Sequence, residues 1–269
     1  MTTPCFDTVI LSDLHLGSEV SRAKAALEML KAISFRRLIL LGDIFCDLNF
    51  RRLKKEHWQF LGYIRKLSNP KRKIEVVWVE GNHDQGLSEV MSHLVGIEVY
   101  QEYAWEYRGL RHLAIHGHQF DGFVLGNLPL SKFMTGVYLQ LQKLDFGRKR
   151  LVRCFDRLDT VWLRLSNKVA RGALRHAQAK DVQRIFCGHT HEALRLESGQ
   201  IEYFNTGSWT QTAATYVTVS EEGVKIHEYH ERTDDRDPRE ERSEADRETA
   251  DFIDPAGLPA DAEYQGVPV

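Results

Sequence analysis

Five short clusters along this chain carry metal-ligating side chains: Asp13-Leu14-His15, Gly42-Asp43, Gly81-Asn82-His83-Asp84, His116-Gly117-His118 and Gly188-His189-Thr190-His191. Mixed carboxylate, imidazole and amide donors suit first-row divalent ions such as manganese, iron or zinc better than calcium or magnesium. Two such ions about 3.5–4 Å apart need a bridging carboxylate and several neutral imidazoles, and a metal-bound water can ionise near neutral pH. Glycines beside the ligands let the backbone turn sharply and approach the ions. Any one of these clusters is a common turn or cap. The set of five, each following an apolar run, is not explained by turns alone.

The elements that must hold the clusters follow from periodicity. Residues 8–11, 38–41 and 74–79 are short apolar runs that end at the first three clusters. Between them, Ala23, Leu27 and Leu30, and then Trp58, Leu61 and Ile64, recur at helical spacing. Strands alternating with helices predict an α/β layered fold. After Val99 the pattern changes to short strands at 104–107, 112–115, 183–187, 193–196, 201–204, 216–219 and 224–228, with Ser198-Gly199 and Glu222-Gly223 where hairpin turns are expected. The expected architecture is a four-layer α-β-β-α sandwich of two mixed sheets.

Residues 123–180 interrupt the β-rich half. Pro129 can open a helix, and Leu130, Phe133, Met134, Val137, Tyr138, Leu141 and Leu144 continue at helical spacing. A Phe-Gly-Arg-Lys-Arg break follows, then Leu151, Phe155, Leu158, Trp162, Leu165 and Val169. This predicts an inserted helical hairpin, a lid, holding twelve Lys/Arg against three Asp. Its apolar stripe could instead pack on the core while its basic face is solvated. Residues 231–269 carry thirteen acids and five arginines with few apolar anchors, which predicts a disordered acidic tail. The net charge of −2 therefore leaves a positive body, suited to phosphates, nucleic acid or anionic lipid surfaces. No apolar run has the length of a membrane span, and the first residues lack a basic segment followed by an apolar one. The expected location is the cytoplasm. Cys5, Cys46, Cys154 and Cys187 form no C-x-x-C pair, so they are expected to be reduced thiols rather than a disulfide framework or zinc knuckle.

The ordered motifs D-x-H, G-D, G-N-H-D, H-G-H and G-H-T-H resemble the calcineurin-like metallophosphoesterase superfamily over roughly residues 8 to 230. The resemblance implies a metallophosphoesterase domain over 1–230 with the 123–180 lid inside it. It implies that Asp13, His15 and His191 bind one ion, that Asn82, His116 and His189 bind the second, and that Asp43 bridges them. His83 is then not a ligand. It stands near the substrate phosphorus and helps the leaving oxygen depart, with Asp84 orienting it. His118 departs from the His-Gly-Asp of some subfamilies and resembles the His-Gly-His of others; it is a candidate contact to substrate or a metal, or it lines the site or packs in the loop.

Within the superfamily, Gly42-Asp43-Ile44-Phe45 resembles the UDP-2,3-diacylglucosamine hydrolase group, which also carries a helical lid between its fourth and fifth metal motifs, and Asn205-Thr206-Gly207-Ser208-Trp209 resembles the Asn-Thr-Gly-Asp-Trp of relatives of that group. The implied function is hydrolysis of a lipid-linked nucleotide diphosphate to UMP and a lipid phosphate by metal-hydroxide attack, with two ions, manganese first and iron or zinc as alternatives. The lid's Arg148, Lys149, Arg150 and Arg153 could neutralise the diphosphate, and the basic amphipathic pair could draw the protein to the anionic inner face of a membrane. A nucleotide or nucleic-acid phosphodiesterase with the same metal centre is the alternative. Cys46, where the group usually has an acid, and His118, where many members have Asp, bear on the substrate and not on the metal site.

Overall fold

The computed structural model describes residues 5–86, 96–121, 159–211 and 213–230. Strand alternation sets the layers. In β1 (Cys5–Leu11), β2 (Ser34–Leu41) and β3 (Glu75–Val79), successive side chains point to opposite faces. Val9, Leu11, Leu38, Leu40 and Trp78 turn to one side and pack with α1 (Ala23–Ala32) and α2 (Lys55–Leu67) through Ala26, Leu30, Phe60 and Ile64. Ile10, Ile39, Leu41, Val77 and Val79 turn to the other side and meet Trp105, Ala114, Phe186 and Phe204 of a second sheet. The far face of that sheet buries Leu113, Ile115, Ile185 and Tyr203 against Ala170, Ala173 and Ala177 of α3 (Asp159–Ala179). Three apolar seams thus separate four layers, as the period-two runs require.

The first sheet also contains β4 (Val99–Tyr100), β10 (Ala214–Ser220) and β11 (Gly223–Tyr229), in the order β11-β10-β1-β2-β3-β4. β1, β2 and β3 are parallel, and β10 joins β1 antiparallel. The second sheet is built from β5 (Glu102–Tyr107), β6 (Leu110–Ile115), β7 (Arg184–Cys187), β8 (Ala193–Ser198) and β9 (Ile201–Thr206), in the order β5-β6-β7-β9-β8. β6, β7 and β9 run parallel, and the outer pairs are antiparallel. Both sheets are mixed, and the α/β sandwich matches the expectation from sequence. The two-residue β4 gave no periodic signal because it is shorter than one alternation.

Of the segment expected as an inserted lid, 123–158 lies outside the described residues, including Arg148, Lys149, Arg150, Arg153 and Cys154. The acidic tail 231–269 lies outside them too. The rest of the segment is α3. Its second half is interior: Val169, Ala170, Ala173 and Ala177 are fully buried. No described helix is long and apolar enough to cross a membrane.

Candidate metal centre

Each of the five clusters follows the C-terminal end of a parallel strand: β1, β2, β3, β6 and β7 in turn. Open α/β sheets commonly offer ligand sites at this edge. The chain must reverse there while keeping a side chain aimed inward. It does so with left-handed backbone at Asp13 (φ 53°), His15 (φ 48°), Asp43 (φ 51°), His189 (φ 68°) and His191 (φ 57°). Non-glycine residues seldom adopt this region, and strain of this kind gathers at functional sites. The loops are pinned to one another by backbone bonds: Asp13 N donates to Gly42 O (3.1 Å), His15 N to Asp43 O (3.0 Å) and Gly188 N to His116 O (3.0 Å). Gly42, at φ +77°, lies so close to the His116 ring that a Cβ there would overlap it.

The side chains converge as two donor triads. In Asp13, His15 and His191, and again in Asp43, His116 and His189, the ligand atoms of each triad lie within 4.8 Å of one another. Asp13 Oδ1 is 3.1 Å from His191 Nε2 and 3.8 Å from His15 Nε2. Asp43 Oδ2 is 3.3 Å from His116 Nε2. Yet Asp13 Oδ1, His116 Nε2 and Asn82 Oδ1 are all buried without a hydrogen-bond partner. Buried polar atoms are rarely orphaned, so those that are need another partner. Asp13 Oδ1 and His116 Nε2, one in each triad, are unpaired electron-pair donors that fit a pair of cations in the cup formed by the triads.

His15, Asp43 and His83 also fall within 4.8 Å, so distance alone does not separate His83 from the ligands. Its hydrogen bonds do. The His83 Nδ1–H donates to the Cys46 carbonyl at 2.7 Å, and Nε2 is turned toward Asp43 Oδ2 at 3.9 Å. The expected partner, Asp84, does a different job. Its two oxygens accept from Ile44 N (3.1 Å) and Phe45 N (2.9 Å), so Asp84 braces the loop that carries Asp43, and the Cys46 carbonyl orients His83. His118 is buried with its ring 5.6 Å from His116 and 6.4 Å from His189.

Two supporting residues, Ser12 and Asp121, had no signal in the sequence. Asp13 Oδ2 accepts from Ser12 Oγ and from His189 N at 3.1 Å, which leaves only Oδ1 for the cup. Asp43 Oδ1 accepts from His83 N at 2.9 Å. Asp121, buried, places Oδ2 3.2 Å from His189 Nε2. Asn205 donates to Gly188 O (2.7 Å) and Thr190 Oγ1 (3.0 Å) and accepts from Gly207 N (3.0 Å), so the Asn-Thr-Gly motif clamps the turn that presents His189 and His191.

Burial and opposed charges set the protonation. Burial disfavours the charged carboxylates of Asp13 and Asp43, but the facing imidazoles (His191 for Asp13, His116 for Asp43) hold both pKa values below the ordinary range. Burial likewise disfavours a charged His116, yet Asp43 raises it to about 9. Burial pushes His15 down to about 3, and burial with the Asp43 charge pushes Asp84 up to about 7. The carboxylates therefore draw positive charge into the cup. A divalent cation answers the same field, and its binding releases the imidazole protons.

Residues 7–223 match the family model described as the calcineurin-like phosphoesterase superfamily domain. No curated protein matches the chain in sequence. Among solved structures, Vps29 from Entamoeba histolytica is similar at 14% identity, covering 82% of this chain and 97% of that one, with a TM-score of 0.43. An archaeal phosphodiesterase is similar at 13% identity, covering 82% and 98%, with a TM-score of 0.46. The phosphoesterase YfcE from E. coli is similar at 20% identity, covering 80% and 88%, with a TM-score of 0.42.

Proposed function

Because the chain belongs to the calcineurin-like phosphoesterase superfamily, and so is a metal-dependent phosphoester hydrolase, we propose that its substrate is the diphosphate of UDP-2,3-diacylglucosamine or a similar lipid-linked nucleotide. Water adds to one phosphorus, the bridging P–O bond breaks, and UMP and a lipid phosphate leave. The observation that carries the hydrolytic reading is the pair of triads linked where ligand atoms of His15 and Asp43 fall within 4.8 Å of each other, with Asp13 Oδ1, Asn82 Oδ1 and His116 Nε2 buried and unpartnered.

In this reading Asp13, His15 and His191 hold one ion, Asn82, His116 and His189 hold the other, and Asp43 spans them. Bound divalent ions, manganese first among the candidates, supply Lewis acidity and a nucleophile at neutral pH. The remaining work belongs to the chain. His83, fixed through Nδ1 by the Cys46 carbonyl, offers Nε2 to the phosphoryl or leaving oxygen. Asp84 holds the Ile44 and Phe45 amides and so keeps Asp43 in register with His83. Glycolipid specificity is supported by the Gly42-Asp43-Ile44-Phe45 and Asn205-Thr206-Gly207-Ser208-Trp209 motifs and by the basic 123–180 segment. A lipid-linked substrate also places the enzyme at the anionic face of a membrane.

The test is product analysis. Purified protein with manganese and UDP-2,3-diacylglucosamine should release UMP and the lipid phosphate, resolved by liquid chromatography and mass spectrometry. Absence of UMP beside turnover of a polynucleotide would transfer the assignment to the phosphodiesterase alternative.

A further inference from the structure

α2 buries His57, Phe60, Ile64 and Leu67 and turns Lys55, Trp58, Gly62, Arg65 and Lys66 outward. Between positions 51 and 73 the chain has nine Lys/Arg and a single acid, Glu56. Arg52 is paired with Asp47 and Lys54 with Glu19. Arg51, Lys55, Arg65 and Lys66 make no ion pair among the described residues. The large hydrophobic side chains that stand exposed among the described residues lie just before this stretch, Leu48 (48%) and Phe50 (37%), and within it, Trp58 (54%).

A solvated basic face accounts for the cations and not for three exposed apolar groups at positions 48, 50 and 58. A phosphate backbone would also take the cations and give Leu48 no partner. An anionic bilayer takes both. Trp belongs at the membrane–water interface, apolar side chains on a basic helix enter the headgroup boundary, and each Lys or Arg near an anionic surface adds attraction.

The patch is tied to the metal centre. Gly17, two residues past His15, donates its N–H to His57 Nδ1 of α2 at 3.3 Å, and Lys54, the residue before α2, pairs with Glu19 at 2.6 Å. The first turn of α2 therefore stands beside the rim where His15 enters the cup.

We propose that the outward face of the first turns of α2, with residues 48–51 before it, docks the protein on an anionic lipid bilayer and brings the rim of the metal centre to the membrane surface. The proposal rests on the reading of the substrate as lipid-linked, and it extends that reading to a surface within the described residues.

The experiment is co-sedimentation of the full chain with vesicles of phosphatidylethanolamine and phosphatidylglycerol, against pure phosphatidylcholine. The parent should pellet with the anionic vesicles, less at high salt. Arg51→Gln with Lys55→Gln should weaken partitioning about tenfold or more, and Leu48→Ser with Trp58→Ser should weaken it comparably. Both double variants should hydrolyse bis(p-nitrophenyl) phosphate like the parent, which shows that they fold. No binding by the parent, or equal binding by all three proteins, would overturn the proposal. So would salt-dependent binding to a polynucleotide, lost in the charge variant, with no affinity for vesicles. Vesicle binding lost in the variants, with no UMP released from the glycolipid, would leave the surface standing and remove the substrate.

Discussion

His83 and Asp121 both touch the cup, and they should fail differently when removed. His83 Nε2 is free to meet substrate, because Nδ1 is already committed to the Cys46 carbonyl. His83→Ala is expected to keep its metal content, measured by inductively coupled plasma mass spectrometry, while kcat falls about 10²- to 10⁴-fold. Metal lost in parallel with activity would contradict that role. Asp121 Oδ2 accepts from the His189 Nε2–H, which fixes the ring and leaves Nδ1 for an ion. Outer partners of this kind typically contribute about 10–100-fold in metal affinity. Asp121→Asn should therefore weaken one of two binding events in a calorimetric manganese titration, and Asp121→Glu should restore part of the loss. His83 was legible because it sits in a G-N-H-D motif after an apolar strand. Asp121 was not, because a lone Asp five residues past His116 acquires meaning only when β6 and β7 pair and bring it beside His189.

Strands announced themselves better than helices did. β1, β2 and β3 end in ligands and alternate cleanly, so their residues and chemistry coincide. The sequence alone groups α3 with 123–158 in one inserted hairpin, since a 3.6-residue apolar repeat looks alike on a lid and in a core. The structure shows what its second half packs against. Val169 lies over Gly117, and Gly172 lies so close to Phe120 that an added Cβ would stand 2.7 Å from the Phe120 Cβ. α3 thus backs the short turn His118–Phe120 that links His116 to Asp121. Gly172→Ala should overpack this contact and cost about 1–3 kcal/mol, read as a lowered urea midpoint. Because the displaced turn carries both His118 and Asp121, metal affinity should fall with it. An unchanged midpoint would mean that α3 yields freely.

At the scale of the whole molecule, the seam between the sheets contains an acid-sensitive group. His112 is buried against Trp105 (ring centroids 5.0 Å) and Phe186 (5.9 Å), and burial depresses its pKa to about 4. An unfolded chain takes up that proton near pH 6.5, whereas the folded chain resists until about 4. The contribution of His112 to stability is therefore complete above pH 6.5 and declines as pH falls toward 4. Urea midpoints across this window should fall more steeply for the parent than for His112→Phe. The same seam is crossed by the two triads. Asp13, His15, Asp43 and Asn82 hang from the first sheet, and His116, His189 and His191 from the second. Metal held in both triads would tie together residues as far apart in sequence as Asp13 and His191, and so would rivet the two sheets to each other. Raising free manganese from none to a thousandfold over its dissociation constant should add about 4 kcal/mol for each independently bound ion. A melting curve recorded without any substrate then becomes a gauge of metal occupancy, and an excess of chelator should loosen the sandwich along its central plane before it disturbs either sheet.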